Sequence, residues 1–200
     1  MTDTDLGFAL PLPVASAELE DRLARRRSAP AQALTVPGPT QDQIARILEL
    51  GARTPDHGKL FPWRFVVLGP TSRTTLAEAL LPLAARQPQP DKARAVLGKL
   101  TAAPVTILVV STPVPSQKVP VWEQQLSAGA VCMNLEHAAG ALGFSTSWIT
   151  DWYSYDAEAL ALLGLTEGEQ VAGFIHIGTL AEPPLERPRP DLSAKVEYRD

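Results

Sequence analysis

The chain has a single cysteine, Cys132, in 200 residues, which excludes an internal disulfide and any zinc or iron–sulfur cage built on cysteines. Cys132 lies in an apolar helical run, so it reads as a buried, inert thiol rather than a nucleophile. No apolar stretch approaches the roughly 20 residues a membrane-spanning helix needs. A basic start followed by an apolar core is also missing at the N-terminus, so no secretory leader is expected and a cytoplasmic location is. Positive charge is not in excess: 18 Lys and Arg stand against 22 Asp and Glu, for a net charge of −4. Nothing therefore draws the chain to phosphate backbones in general, and no basic run is long enough for a nucleic-acid patch. No second histidine or carboxylate accompanies His57 at metal-ligand spacing. Neither a catalytic triad nor a carboxylate pair is found.

Proline is abundant, with 19 residues clustered near Pro11–Pro13, Pro37–Pro39, Pro113–Pro120 and Pro183–Pro190. These clusters predict an N-terminal arm over 1–15, one domain over 16–182 containing two ordered loops, and an extended C-terminal arm over 183–200. An arm of that kind needs a partner surface to be ordered, and wrapping a second subunit is one solution.

Within the domain, Ser16 caps a helix to Arg26, with acids in its first turn, arginines in its last, and Leu19 and Leu23 on one side. Arg26-Arg27-Ser28 follow at the helix end. There, two guanidiniums and a hydroxyl can converge on a phosphate, or simply satisfy the helix dipole in solvent. Thr40 and Gln43 form a capping box opening a second helix, with Ile44, Ile47, Leu48 and Gly51 at helical spacing. It ends near Arg53, because Thr54 precedes a proline.

The stretch Arg53–Val67 is the most distinctive in the chain. It holds a helix end, a polar turn with Asp56, His57, Gly58 and Lys59, and the start of an alternating strand after Pro62-Trp63. His57 can donate from one ring nitrogen and accept at the other, while Gly58 lets the main chain approach a flat ligand; a purely structural histidine fits the spacing equally well. Beyond it, helices are expected over 71–81, ended by Pro82, and over 91–100, with Ala95, Val96 and Leu100 inward. Val105–Val110 reads as a strand buried on both faces.

A long helix over 122–142 carries small residues at Ser127-Ala128-Gly129-Ala130 and Ala138-Ala139-Gly140-Ala141, as suits a core helix and a close subunit contact. Gly143-Phe144 lead to a strand containing Trp148, through a loop that could lie against a flat ring or be an ordinary turn. Asp156 caps a short helix, and Val171–Gly178 is the last strand.

Taken together, the chain resembles the nitroreductase family, and most closely its short, minimal branch. Five signals carry the resemblance: Arg26-Arg27-Ser28; Arg53 with Pro55-Asp56-His57 and Pro62-Trp63; Lys118-Val119-Pro120 with Trp122-Glu123-Gln124 and Ser127-Ala128-Gly129; Gly143-Phe144 leading to Trp148; and Gly178-Thr179.

The resemblance implies an α+β fold: a central mixed or antiparallel sheet flanked by helices, in a homodimer that exchanges C-terminal arms. It implies FMN as cofactor, NAD(P)H as co-substrate, and a nitroaromatic, quinone or similar small acceptor. Arg26, Arg27 and Ser28 would hold the phosphate and ribityl end. Arg53 and His57 would reach the FMN of the other subunit, with Lys59 or His57 beside the ring. Residues 139–144 would meet NAD(P)H. Gly143, Trp148 and the segment Ile149-Thr150-Asp151 would contact FMN, and Arg187 and Arg189 are candidates for the phosphate. The minimal branch can carry Arg-Ser-Gly where Ile149-Thr150-Asp151 stand, so a cation near the flavin is lost here. A flavin carrier, a flavin-consuming relative and a cofactor-free interaction domain are the rival readings.

Overall fold

The structure is a computed structural model that describes residue 7, residues 9–116 and residues 118–199. Its centre is a four-stranded sheet in the order β1-β2-β4-β3, in which every neighbouring pair is antiparallel. β1 is Trp63–Leu68, β2 Val105–Ser111, β3 Ser145–Ile149 and β4 Gln170–Gly178. The expectation of a mixed or antiparallel sheet thus resolves to antiparallel throughout. β2 is buried along its whole length, as its unbroken run of apolar residues requires for an inner strand covered on both faces.

One face carries α2 (Gln41–Gly51) and the long α6 (Val121–Ala141), packed on Ile107, Val109, Ile175 and Ile177. Gly51 permits this packing, because a Cβ there would run into Leu135 of α6. Thr40 caps α2 by the reciprocal box with Gln43 that the sequence predicts. The other face carries α3 (Pro70–Ala84), α4 (Pro90–Ala95), α5 (Gly98–Ala102) and α7 (Ala157–Leu162) over Leu108, Val110, Tyr153 and Phe174. His176 also points to that side, at 0% exposure, with Nδ1 2.8 Å from the Thr106 hydroxyl and, among the described residues, no partner for Nε2. α1 (Ala17–Arg25), capped by Ser16, lies outside these layers with no buried residue.

Two expectations are corrected. Pro82 does not end α3, which runs on to Ala84. Proline removes one backbone hydrogen bond, but Leu80, Leu83 and Ala84 around it are buried and hold the last turn in place. The single helix expected over 91–100 is instead two, α4 and α5, broken at Val96-Leu97. Ala93, Leu97 and Leu100 turn inward while Ala95 is exposed. The break, just before the poor helix former Gly98, lets Leu97 and Leu100 both reach the core.

Candidate functional site

α1 ends at Arg25, and its last turn with the two residues after it brings four arginines to a cavity of about 430 Å³ at the C-terminal half of α6. Arg22, Arg25, Arg26 and Arg27 line it together with Glu18, Asp21, Glu136, His137, Gly140 and the segment Gly143–Thr146. Most of these guanidiniums are already engaged. Arg22 donates to the Gly140 carbonyl and Arg25 pairs with Asp21. Arg27 Nε donates to the Leu185 carbonyl at 2.9 Å. Arg26 has looser partners: the Ser28 hydroxyl at 3.4 Å and the Glu136 carboxylate at 3.8 Å. The C-terminal arm crosses the same place, where Arg189 donates to the Arg26 carbonyl at 3.1 Å and pairs with Glu186. Arg187 is exposed, with its amide bonded to Glu186.

The floor of the cavity is the end of α6. Gly143, at φ 87°, turns the chain left-handed, and the Phe144 and Gly143 amides close back on Ala139 and Gly140. That is a Schellman-type end, which glycine makes at no steric cost. Arg26, Arg27, Ser28, Gly143 and Arg189 are therefore brought together, as candidates for one phosphate end. Four arginines against Glu18, Asp21 and Glu136 leave the pocket a positive excess, and the guanidinium donors not yet spent suit a phosphate dianion.

The turn at His57 lies elsewhere. It is stapled to the N-terminal half of α6: His57 Nδ1 lies 2.7 Å from Glu123 Oε2, and Ser127 donates to the Pro55 carbonyl at 2.8 Å. Asn134 donates to the Thr54 hydroxyl at 2.8 Å. Gly58 (φ 83°), Lys59 (φ 55°) and Phe61 (φ 46°) all have left-handed backbones. Such conformations are uncommon for side-chain-bearing residues and gather at binding sites. His57 and Lys59 are exposed, and Arg53 borders a separate cavity with Glu49, Thr54 and Pro55. With a rise of roughly 1.5 Å per residue along α6, Glu123 and Glu136 stand about 20 Å apart. A single chain thus does not bring the two clusters together.

Trp148 lies on the α6 side of the sheet, its indole over Gly173 and its Nε1 donating to the Ala172 carbonyl at 3.1 Å. A register shift between β2 and β4 skips Ala172 in the pairing with Val109 and Val110. Bulges of this kind disturb the ladder locally and re-aim neighbouring groups. The indole takes the carbonyl there. The next three residues turn away: Ile149 packs on the far-side core, Thr150 accepts from the Tyr155 hydroxyl at 3.0 Å, and Asp151 pairs with Lys99 at 2.9 Å while capping Trp152. Their side chains do not reach the arginine cavity.

Sequence reasoning assigned no role to Arg22, Glu136 or Thr146, which belong to that cavity, and gave Glu123 none as the partner of His57. A lone acid inside the apolar run 131–141 was the one available signal for Glu136.

Comparison with known proteins agrees with this architecture. The family model described as "Nitroreductase family" matches residues 23–179. The Escherichia coli (strain K12) protein named "Putative NAD(P)H nitroreductase YdjA" is 34% identical over 161 residues, spanning 78% of this chain and 85% of its own. A nitroreductase-like family protein from Bacillus cereus superposes with a TM-score of 0.80 at 21% identity, over 96% of this chain and 99% of that one. A nitroreductase with bound FMN from Bacteroides fragilis NCTC 9343 does so with a TM-score of 0.71 at 22% identity, over 93% and 100%. With α6 spanning the sheet and the arginines of α1 gathered at its end, this chain belongs to the nitroreductase family.

Proposed function

We propose that this chain is a cytoplasmic, FMN-dependent oxidoreductase that works as a homodimer. The observation that carries this reading is the cavity where Arg22, Arg26 and Arg27 meet the end of α6. The chemistry the flavin supplies when bound is hydride transfer from NAD(P)H to a small acceptor such as a nitroaromatic or a quinone. The chain's own residues grip, orient and shield. Arg26 and Arg27 would hold the phosphate, with Ser28 and Arg189 beside them; Gly143 allows close approach of the main chain, and Trp148 offers a flat apolar surface.

Separation of the two clusters along α6 argues for a site completed by a second copy. His57, Arg53 and Lys59 of one chain would face the flavin held by the arginines of the other. Glu123 fixes the His57 ring by accepting at Nδ1. Exposed apolar side chains stand ready for the subunit contact: Val121, Trp122 and Leu126 on α6, Leu19 and Leu23 on α1, and Phe61 in the turn. Through Leu185 and Arg189 the arm meets Arg27 and Arg26 of its own chain, just past α1; the residues that follow, including exposed Leu192, Val196 and Tyr198, are the part proposed to cross to the partner.

Support comes from the family, from the name of the Escherichia coli relative and from FMN bound in the Bacteroides fragilis structure. The test is an absorption spectrum of purified protein, then steady-state oxidation of NADH and NADPH with a nitroaromatic or quinone present. Yellow protein that turns over supports the proposal. Yellow protein without turnover supports a carrier or flavin-consuming role, and protein that stays colourless after incubation with FMN rejects both. Arg26→Ala should weaken FMN binding by roughly tenfold or more, as loss of a charge-assisted contact predicts.

A further inference from the structure

α6 is apolar through Val131, Cys132, Leu135, Ala138 and Ala139, all buried, yet Glu136 sits among them at 5% exposure. A buried carboxylate is expensive unless it is paired and hydrogen-bonded, and an apolar residue of similar size is often as good for stability. Its contacts join three elements: the Thr146 hydroxyl on β3 donates to Oε1 at 3.0 Å, and Arg26 Nη1, just past α1, stands 3.8 Å from Oε2.

The second distance is the informative one. At 3.8 Å, Arg26 is held to Glu136 by charge but not by a hydrogen bond, so its donors stay available; among the described residues its guanidinium makes one bond, the long one to Ser28. The other three arginines of the cavity spend donors on Gly140, Asp21 and Leu185. Arg26 is thus aimed but not consumed.

We propose that Glu136, itself braced by Thr146, is a positioning residue that presents Arg26 to the phosphate of the cofactor and thereby sets the preference for FMN over riboflavin. This rests on the FMN reading above. Glu136 lines the same cavity, and its role is to act through Arg26 rather than to bind the phosphate itself. Without it the guanidinium, half-exposed on a long side chain, is free to swing toward solvent, and the entropy of ordering it returns to the binding step.

The test compares FMN with riboflavin, two ligands that differ only by the phosphate, titrated into flavin-stripped protein and followed by flavin fluorescence. Wild type should bind FMN the more tightly. Glu136→Ala should weaken FMN roughly tenfold, in the range typical of removing a residue that orients a ligating group, and leave riboflavin within about twofold. Glu136→Gln keeps the length and the acceptor for Thr146 and should recover part of the loss. Should the alanine variant fail to fold, Glu136→Gln and Thr146→Val are read by the same ratio, each with a smaller fall. Unchanged or tighter FMN binding in the variants overturns the proposal, because the carboxylate would then only repel the phosphate. Equal losses of FMN and riboflavin overturn it too, since Glu136 would then merely fasten α1 to α6. Wild type that does not distinguish the two ligands rejects the phosphate site itself, a separate failure from an intact preference that Glu136 does not influence.

Discussion

Acidification should destabilise this fold well before its carboxylates protonate, and His176 is the reason. The ring lies between β2 and β3 with its pKa lowered to about 4, first by burial and then by the charges of Arg73 and Lys99, from an ordinary 6.5. Arg73 is itself buried and bonded to the Leu100 and Pro104 carbonyls, so it cannot retreat from an imidazolium. Asp151 faces Lys99 rather than His176. The folded state therefore keeps the ring neutral, while the unfolded chain takes up a proton near pH 6.5. Between pH 6.5 and about 4 the unfolded state binds more protons, so stability is full above that window and falls as pH drops through it. Integrating from about pH 8 to about pH 4.5 gives a loss of roughly 2.5 kcal/mol. Glu169, a carboxylate held down to about 2, adds its own loss mainly from its ordinary 4.5 downward, at the acid edge of this window.

The assay is urea unfolding of flavin-free protein at one fixed concentration over that pH range, because the stability of the proposed homodimer would depend on concentration. His176→Gln should remove most of the slope. A wild-type curve flat to within about 0.5 kcal/mol, or the full slope surviving in His176→Gln, would refute the reasoning.

Other outcomes follow from single contacts. Gly173→Ala places a methyl against the Trp148 indole, and should break its bond to Ala172, shift tryptophan emission and cost about 1–3 kcal/mol by overpacking. Cys132, fully buried with its thiol pushed up to about 12 by burial and the nearby Glu136 charge, should resist a disulfide reagent at about pH 8 in the native protein and react at once in denaturant. Arg64 holds Glu169 through two bonds of 2.8 Å. Allowing for solvent screening of this half-exposed arginine, Arg64→Ala should cost about 1 kcal/mol near pH 7. That difference should fade as pH falls from 4.5 toward 2 and Glu169 protonates, measured by the same unfolding curves.

Reading the chain alone placed the elements whose signals are local. The capping box at Thr40, the uninterrupted apolar run of β2, the cap at Ser16 and the glycine at the end of α6 each act within a few residues, and each stands where the pattern puts it. It also gathered Arg26, Arg27 and Ser28 at a helix end and singled out the His57 turn. Packing between distant segments was beyond it. Pro82 stays helical because Leu80, Leu83 and Ala84 anchor the turn around it, and the helix over 91–100 breaks so that Leu97 and Leu100 can both be buried. Periodicity along the chain specifies which residues want to leave water, but not which distant surface receives them. Glu136 shows the same divide. In sequence it is an acid out of place in an apolar helix; only the approach of Thr146 from β3 and Arg26 from α1 turns that misplaced charge into an anchor. The distance along α6 between the arginines and His57 is likewise a property of the folded molecule, since helix rise converts their spacing into a separation no side chain can bridge.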